Sequence, residues 1–156
     1  MEVESSRGTE LKWDISSLPV DRDMSLHFAG IDMNMRNEKS IKVPSGIHII
    51  IITLKDMIPA KAELLQNYPN PFNPDTWIPY HLPEVGMVVI SIYDVNGRIV
   101  RKLDLGNKEA GIYASRDKAA YWDGRNDSGE RVSSGVYFYQ IQSGRFSKVM
   151  KLVVVE

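Results

Sequence analysis

The residues best placed to do chemistry crowd into one stretch, Trp122-Asp-Gly-Arg-Asn-Asp-Ser128, where Asp123, Asn126 and Asp127 gather three oxygen-bearing side chains. Such a cluster is what a calcium loop needs. In an EF-hand frame opening at Asp123, however, the third position is Arg125 and the twelfth is Ser134, where an oxygen ligand and a bidentate Glu are required. That frame fails and leaves a looser calcium site between Asp123 and Asp127 as the rival of a turn. Asp and Gly after an aromatic, as in Trp122-Asp123-Gly124, form turns whose carboxylate accepts backbone N–H bonds. His27, His48 and His81 lie far apart in sequence, and no Gly-x-Ser-x-Gly elbow accompanies them. His48 sits inside an apolar run and reads as a packed or hydrogen-bonded core histidine. Ser133-Ser134-Gly135 reads as a turn before a strand. Asn126-Asp-Ser128 fits a glycosylation acceptor, a tripeptide that arises often by chance. Trp77, Tyr80 and Trp122 would suit a sugar-stacking platform, but packing accounts for them more readily because aromatics dominate small cores. No catalytic residue, cofactor site or metal site is expected, and the chain reads as non-enzymatic.

Elements that would position these residues are strands. The chain has 156 residues, 43% hydrophobic and 25% charged, with a formal net charge of -1. This is enough for one sizeable domain or two small ones, and it is the composition of a folded chain. The lysines and arginines are scattered, which speaks against nucleic acid as a partner. With no cysteine there is no disulfide, no thiolate nucleophile and no Cys-ligated zinc. The start MEVESSRGTE lacks a signal-peptide pattern, so any export leader is expected upstream of this fragment. The longest apolar run, Ile47 to Leu54, is too short to span a membrane.

Short alternating segments between Gly, Pro, Asn and Asp recur along the chain, as in all-β sandwiches. In the first third, Glu10–Ile15, Ile31–Arg36, Ser40–Val43 and Ile47–Leu54 are strand candidates among roughly five. Ile31, Met33 and Met35 would share one face, as half-buried strand residues rather than a metal or partner box. The Ile47–Leu54 run should be central in a sheet or covered, because an exposed apolar strand pairs with other chains. Residues 1–55 therefore read as a small or partial β-sandwich, 56–63 as a linker around Pro59, and 64–156 as an immunoglobulin-like sandwich lacking the Cys-Trp-Cys signature. In the latter, Val88, Ile90 and Ile92 alternate against Ser91. Asn96-Gly97 then predicts a type I′ hairpin turn, and Tyr137, Tyr139 and Ile141 line one face.

The prolines of Leu64-Leu-Gln-Asn-Tyr-Pro-Asn-Pro-Phe-Asn-Pro74 forbid a central strand and favour extended backbone before them. A free Pro-x-x-P ligand is one reading; the first, edge-running element of the domain is the other. On the second, Tyr68, Phe72 and Trp77 tuck inward and Asn67, Asn70 and Asn73 satisfy turns.

The ordered motifs of residues 64–156 carry a resemblance. They are Asn67-Tyr68-Pro69-Asn70-Pro71-Phe72-Asn73-Pro74, Ile92-Tyr-Asp-Val-Asn96-Gly97-Arg98, Ala110-Gly111, Trp122-Asp123-Gly124, Gly129, Ser134-Gly135-Val-Tyr137-Phe-Tyr139 and a closing Lys148-x-x-Lys151-Leu-Val-Val. This region resembles the C-terminal sorting domains of the bacterial type IX secretion system and is similar to the related immunoglobulin-like module of the flagellar hook-capping protein. The resemblance implies a secreted or cell-surface protein exported across the outer membrane, with this module as its export and anchoring label. It implies as partners the secretion machinery, a surface processing peptidase cutting around Lys55 to Glu63, and upstream cargo domains in the same polypeptide. Two features depart from the pattern: the last residue is Glu156 where many members end on a basic one, and Ser115–Ala120 lengthens the approach to Trp122. A structural or adhesive sandwich is the alternative role, and a carbohydrate-binding module a third.

Overall fold

The computed structural model describes residues 2–5, 8–19 and 21–155, which form sixteen strands and no helix. The chain divides into two compact units, Met1–Met57 and Ile58–Glu156.

The first unit contains β1 (Glu2–Ser5), β2 (Thr9–Lys12), β3 (Arg22–Phe28), β4 (Ile31–Asn34), β5 (Ser40–Val43), β6 (Gly46–Ile49) and β7 (Ile51–Asp56). β1 pairs with β6, β2 with β5, and β3 lies between β4 and β7. Seven strands stand where about five are expected. β3, not anticipated, alternates Met24, Leu26 and Phe28 toward a core completed by Ile15, Met35, Ile41, Val43 and Ile50. Met35 is buried but lies just past the end of β4, while Ile31 is 48% exposed.

The apolar run departs from expectation. It breaks at the buried Ile50 into β6 and β7, and β7 is an edge strand that leaves Ile51, Ile52 and Leu54 exposed. Eight consecutive residues with no polar alternation carry no period to mark the break or the buried side. His48 is only partly buried: its ring meets the edge of Phe28 at 5.1 Å, and Nε2 lies 3.1 Å from the Pro44 carbonyl oxygen.

The second unit is an immunoglobulin-like β-sandwich of β8 (Glu63–Leu64), β9 (Thr76–Ile78), β10 (Tyr80–Leu82), β11 (Gly86–Tyr93), β12 (Ile99–Lys108), β13 (Gly111–Tyr113), β14 (Ala120–Trp122), β15 (Gly135–Ser143) and β16 (Phe146–Val154). One layer is the antiparallel sheet β12-β11-β15-β16; β13-β10-β8 and the pair β14-β9 supply the other. Period-two alternation sends Val88, Ile90, Ile92, Tyr139, Ile141, Leu152 and Val154 inward from the first layer, against Leu64, Ile78, Tyr80, Leu82 and Trp122 from the second.

The Asn96-Gly97 turn departs from its expected chemistry. Asn96 is not in the left-handed region, so Asn96-Gly97 is no type I′ turn. The Gly97 N–H instead donates to the Asp94 carbonyl with Gly97 at φ 76°, and Asp94 Oδ1 accepts from the N–H groups of Asn96 and Arg98. Asp94 competes for the donors that a two-residue turn would leave free, and a longer loop with glycine in αL results. Positive φ at both central residues occurs at Ala29 (48°) and Gly30 (80°), which join β3 to β4.

Candidate functional site

The proline-rich segment cannot donate ladder hydrogen bonds at Pro69, Pro71 and Pro74, and side chains take over that work. Asn67, 2% exposed, donates from Nδ2 to the Pro69 carbonyl (3.1 Å) and to Thr76 Oγ1 (3.0 Å), and its backbone N–H reaches the Tyr139 hydroxyl at 3.0 Å. That hydroxyl in turn donates to the Leu65 carbonyl at 2.8 Å. Tyr139 thus ties the middle of β15 to the segment's backbone. Burial holds the phenol protonated, pushing its pKa up to about 12, while the Asn67 N–H works in the other direction.

The same segment runs along the outer edge of β16. Val153 N–H donates to Asn70 Oδ1 at 2.9 Å, and Gln66 Nε2 donates to the Lys151 carbonyl at 3.0 Å. Phe72 N–H donates to the Val153 carbonyl (3.1 Å), and Val155 N–H to the Phe72 carbonyl (3.0 Å). One side-chain amide, one side-chain oxygen and one short backbone bridge therefore stand in for a neighbouring strand. Only Phe72 of the three aromatics expected inward is fully buried, 1% exposed and 5.3 Å from Trp122. Pro69, Asn70, Pro71, Asn73 and Pro74 lie on the surface.

Trp122-Asp123-Gly124 closes over this segment. Trp122 is 1% exposed, donates from Nε1 to the Arg125 carbonyl at 2.8 Å, and packs against the edge of Tyr137. Asp123 Oδ1 accepts from the Arg125 N–H at 3.1 Å, as a turn aspartate does. Gly124 adopts φ +69°, and a Cβ there would lie 2.6 Å from the Pro74 carbonyl oxygen. A shallow pocket of about 210 Å³ opens where Asn73 and Pro74, Asp123 and Gly124, and Val154 and Val155 meet. The first motif, the Trp-Asp-Gly turn and the closing strand are thereby one continuous structure.

The remaining sequence candidates are spread out. Gly135 and Tyr137 lie on β15, with the Tyr137 hydroxyl donating to the Ser133 carbonyl at 2.9 Å, and Lys151 is exposed on β16 opposite Phe138. Asn96 and Gly97 are exposed at the far hairpin. Oxygens of the candidate calcium cluster are directed at donors of their own chain. Asp127 Oδ1 faces the Lys102 N–H and Arg101, and Asn126 Oδ1 accepts from the Glu130 N–H. Among the described residues no three or more His, Cys, Asp or Glu side chains gather at one point.

The three aromatics considered for sugar stacking do not form a platform, because Tyr80 and Trp122 are core residues. Trp77 instead sits in a cross-strand row with Tyr68 and Tyr121, and the Arg116 guanidinium lies 4.3 Å over its ring. Arg116 belongs to the lengthened Ser115–Ala120 loop, which so acquires a packing role. His81 pairs with Glu63 at 3.9 Å on neighbouring strands, and burial lowers its pKa against the pull of Glu63. His27 lies against Asp32 in the first unit. Gln66, Thr76 and the Val153 backbone, all central to the stitching, were not singled out by sequence reasoning: Gln66 and Val153 meet partners more than eighty positions away, and Thr76 meets Asn67 and Pro69 only because the proline-rich segment folds back on it.

Residues 75–145 match the FlgD Ig-like domain family. No curated protein matches the chain in sequence. Solved structures similar to it include two from one organism. Dimeric latent PorU from Porphyromonas gingivalis aligns with 95% of this chain and 18% of its own length, at 16% identity and a TM-score of 0.46. PorZ, described as an essential bacterial surface component of the type IX secretion system of the same organism, aligns with 58% of this chain and 11% of its own, at 25% identity and a TM-score of 0.40. The chain therefore spans less than a fifth of the length of either protein.

Proposed function

We propose that this chain is a non-catalytic sorting module of a secreted or cell-surface bacterial protein, recognised as a folded object by the type IX secretion machinery. The observation that carries this reading is the convergence of separate motifs. Residues 66–74 and the closing strand from Lys151 are joined by hydrogen bonds, and Trp122-Asp123-Gly124 packs against Phe72 and Pro74, so the motifs of the sorting-domain resemblance meet in one place. A label read as a rigid surface needs such convergence, because recognition of a flexible segment carries a larger ordering cost.

On this reading the cargo belongs to the same polypeptide, and a surface peptidase cuts around Lys55 to Glu63, where Ile58 and Lys61 are exposed. Mass spectrometry of the exported protein should find a new N-terminus in that interval. An uncut interval in exported material would contradict the processing step.

The test of sorting is a reporter carrying this chain in a host with type IX machinery. Deleting Phe146–Glu156 removes Leu152 and Val154 from the core and the partner of Asn70, and should abolish export. Undiminished export after that deletion would overturn the proposal. A structural or adhesive role is favoured by a different observation: the FlgD Ig-like match covers 75–145 and so includes neither the proline-rich segment nor β16. A purely structural module would leave the reporter inside the cell.

A further inference from the structure

The outer face of the sheet β12-β11-β15-β16 carries an apolar patch, Ile99, Phe138, Val136 and Val149, among polar neighbours. Cross-strand registers place Ile99, Tyr93, Phe138 and Lys151 in one row, and Lys102, Ser91, Gln140 and Val149 in the next; Val136 and Val153 lie beside them. Ile99 is 58% exposed, Val149 53%, Val136 39% and Phe138 37%. The middle of the patch is held flat, since the Tyr93 hydroxyl donates to Gln140 Oε1 and Gln140 Nε2 donates to Ser147 Oγ. Exposed apolar surface of this kind, gathered rather than scattered, marks an interaction site.

Both edges flanking the patch are already occupied. Beside β16, Asn70, Gln66 and Phe72 take up the backbone groups of Lys151 to Val155. Along β12, Asp127 donates its N–H to the Val100 carbonyl and accepts the Lys102 N–H through its carboxylate. A partner strand cannot add beside the patch, so a partner must cover the face.

Its charge says what kind of partner. Lys102 and Lys151 stand exposed at opposite corners of the patch, and among the described residues neither forms an ion pair. Of the nearby carboxylates, Asp104 lies one row further out and accepts the Gly106 N–H, and Asp127, at the β12 edge, is paired with Arg101. A second copy would bring one net positive face onto another. We propose that this face is the docking surface for a protein of the export machinery whose contact strip is apolar and flanked by carboxylates. The inference rests on the export reading above and adds to it the surface that is read.

The test uses the full chain fused to a reporter in a type IX host. The double variant K102E/K151E and the single variant V149N alter exposed positions, and their melting temperatures report folding independently. K42E, on β5 of the first unit, is the control for charge reversal elsewhere. Reversing two charges that meet carboxylates should lower export at least about tenfold, while V149N lowers it and K42E does not. If the wild-type fusion is exported and K102E/K151E, melting as wild type does, is exported equally well, the docking surface is wrong and the export reading stands. If the wild-type fusion itself stays inside, the export reading fails and takes the inference with it. A concentration-dependent dimer in sedimentation, dissociated by V149N, would make the face an interface between copies and overturn the proposal.

Discussion

At Gly124 a side chain has nowhere to go. The backbone is at φ +69°, and the added carbon would sit 2.6 Å from the Pro74 carbonyl oxygen and 3.6 Å from the Phe72 ring. Gly129, at φ +83°, has open space around it. Gly124→Ala should therefore cost about 2 kcal/mol or more, against about 1 kcal/mol for Gly129→Ala, where only the backbone preference is lost. Chemical denaturation of the two variants checks the difference, and equal losses would contradict the close packing. Ala29, at φ 48°, is the converse case: Ala29→Gly should stabilise by a few tenths to about 1 kcal/mol. Tyrosines 80 and 139 give a pH dependence. Burial raises the pKa of both, aided at Tyr80 by the stacked Tyr113. An unfolded tyrosine ionises near roughly pH 10. The stability these hydroxyls contribute is thus complete below that pH and is lost as pH climbs toward about 12, because the unfolded chain then holds fewer protons than the folded one. Tyr80→Phe and Tyr139→Phe should each flatten the alkaline fall in stability. They should differ at neutral pH: Tyr139→Phe strands the Asn67 N–H and the Leu65 carbonyl at about 1–3 kcal/mol, whereas Tyr80 Oη has no partner among the described residues to lose. The Trp-Asp-Gly turn was legible in the sequence, but the need for glycine was not, because the obstructing carbonyl belongs to a proline fifty positions earlier.

Among the elements, the long sheet is finished at its sides by side chains rather than strands. Asn70→Ala should free the Val153 N–H at a cost of about 1 kcal/mol. It should also raise self-association measured by light scattering, since an uncovered edge invites pairing. An unchanged association state would show that the remaining Phe72 bridge suffices. Strands of the second unit were readable because Val88, Ile90 and Ile92, and Tyr137, Tyr139 and Ile141, alternate cleanly against polar neighbours. β3 was missed although Met24, Leu26 and Phe28 carry the same period, since it opens on the charged Arg22 and Asp23. The Asn96-Gly97 turn was placed rightly and typed wrongly, because Asp94 captures its donors. Phe72 was legible as an inward residue. Trp77 was not legible as the partner of Arg116 and Tyr68, since the Arg116 loop has no sequence signal linking it to Trp77.

At the scale of the whole molecule, two units each carry their own core, one around Leu26, Phe28 and Ile50, the other around Trp122, Tyr139 and Ile90. Separate cores predict separable unfolding: calorimetry should show two transitions, with Phe28→Ala lowering only one of them. A single transition shifted as a whole would contradict this independence. A β-sandwich class could be read from composition and turn spacing. How its motifs close on one another could not, because that depends on contacts between residues 66–72 and 151–155. The central claim is that the folded sandwich acts as an export label. Its most direct test is the fraction of a reporter, fused to the full 156-residue chain, found outside cells with type IX machinery and outside otherwise identical cells lacking the secretion pore. The account predicts external reporter only in the first; equal retention in both, or equal release from both, would contradict it.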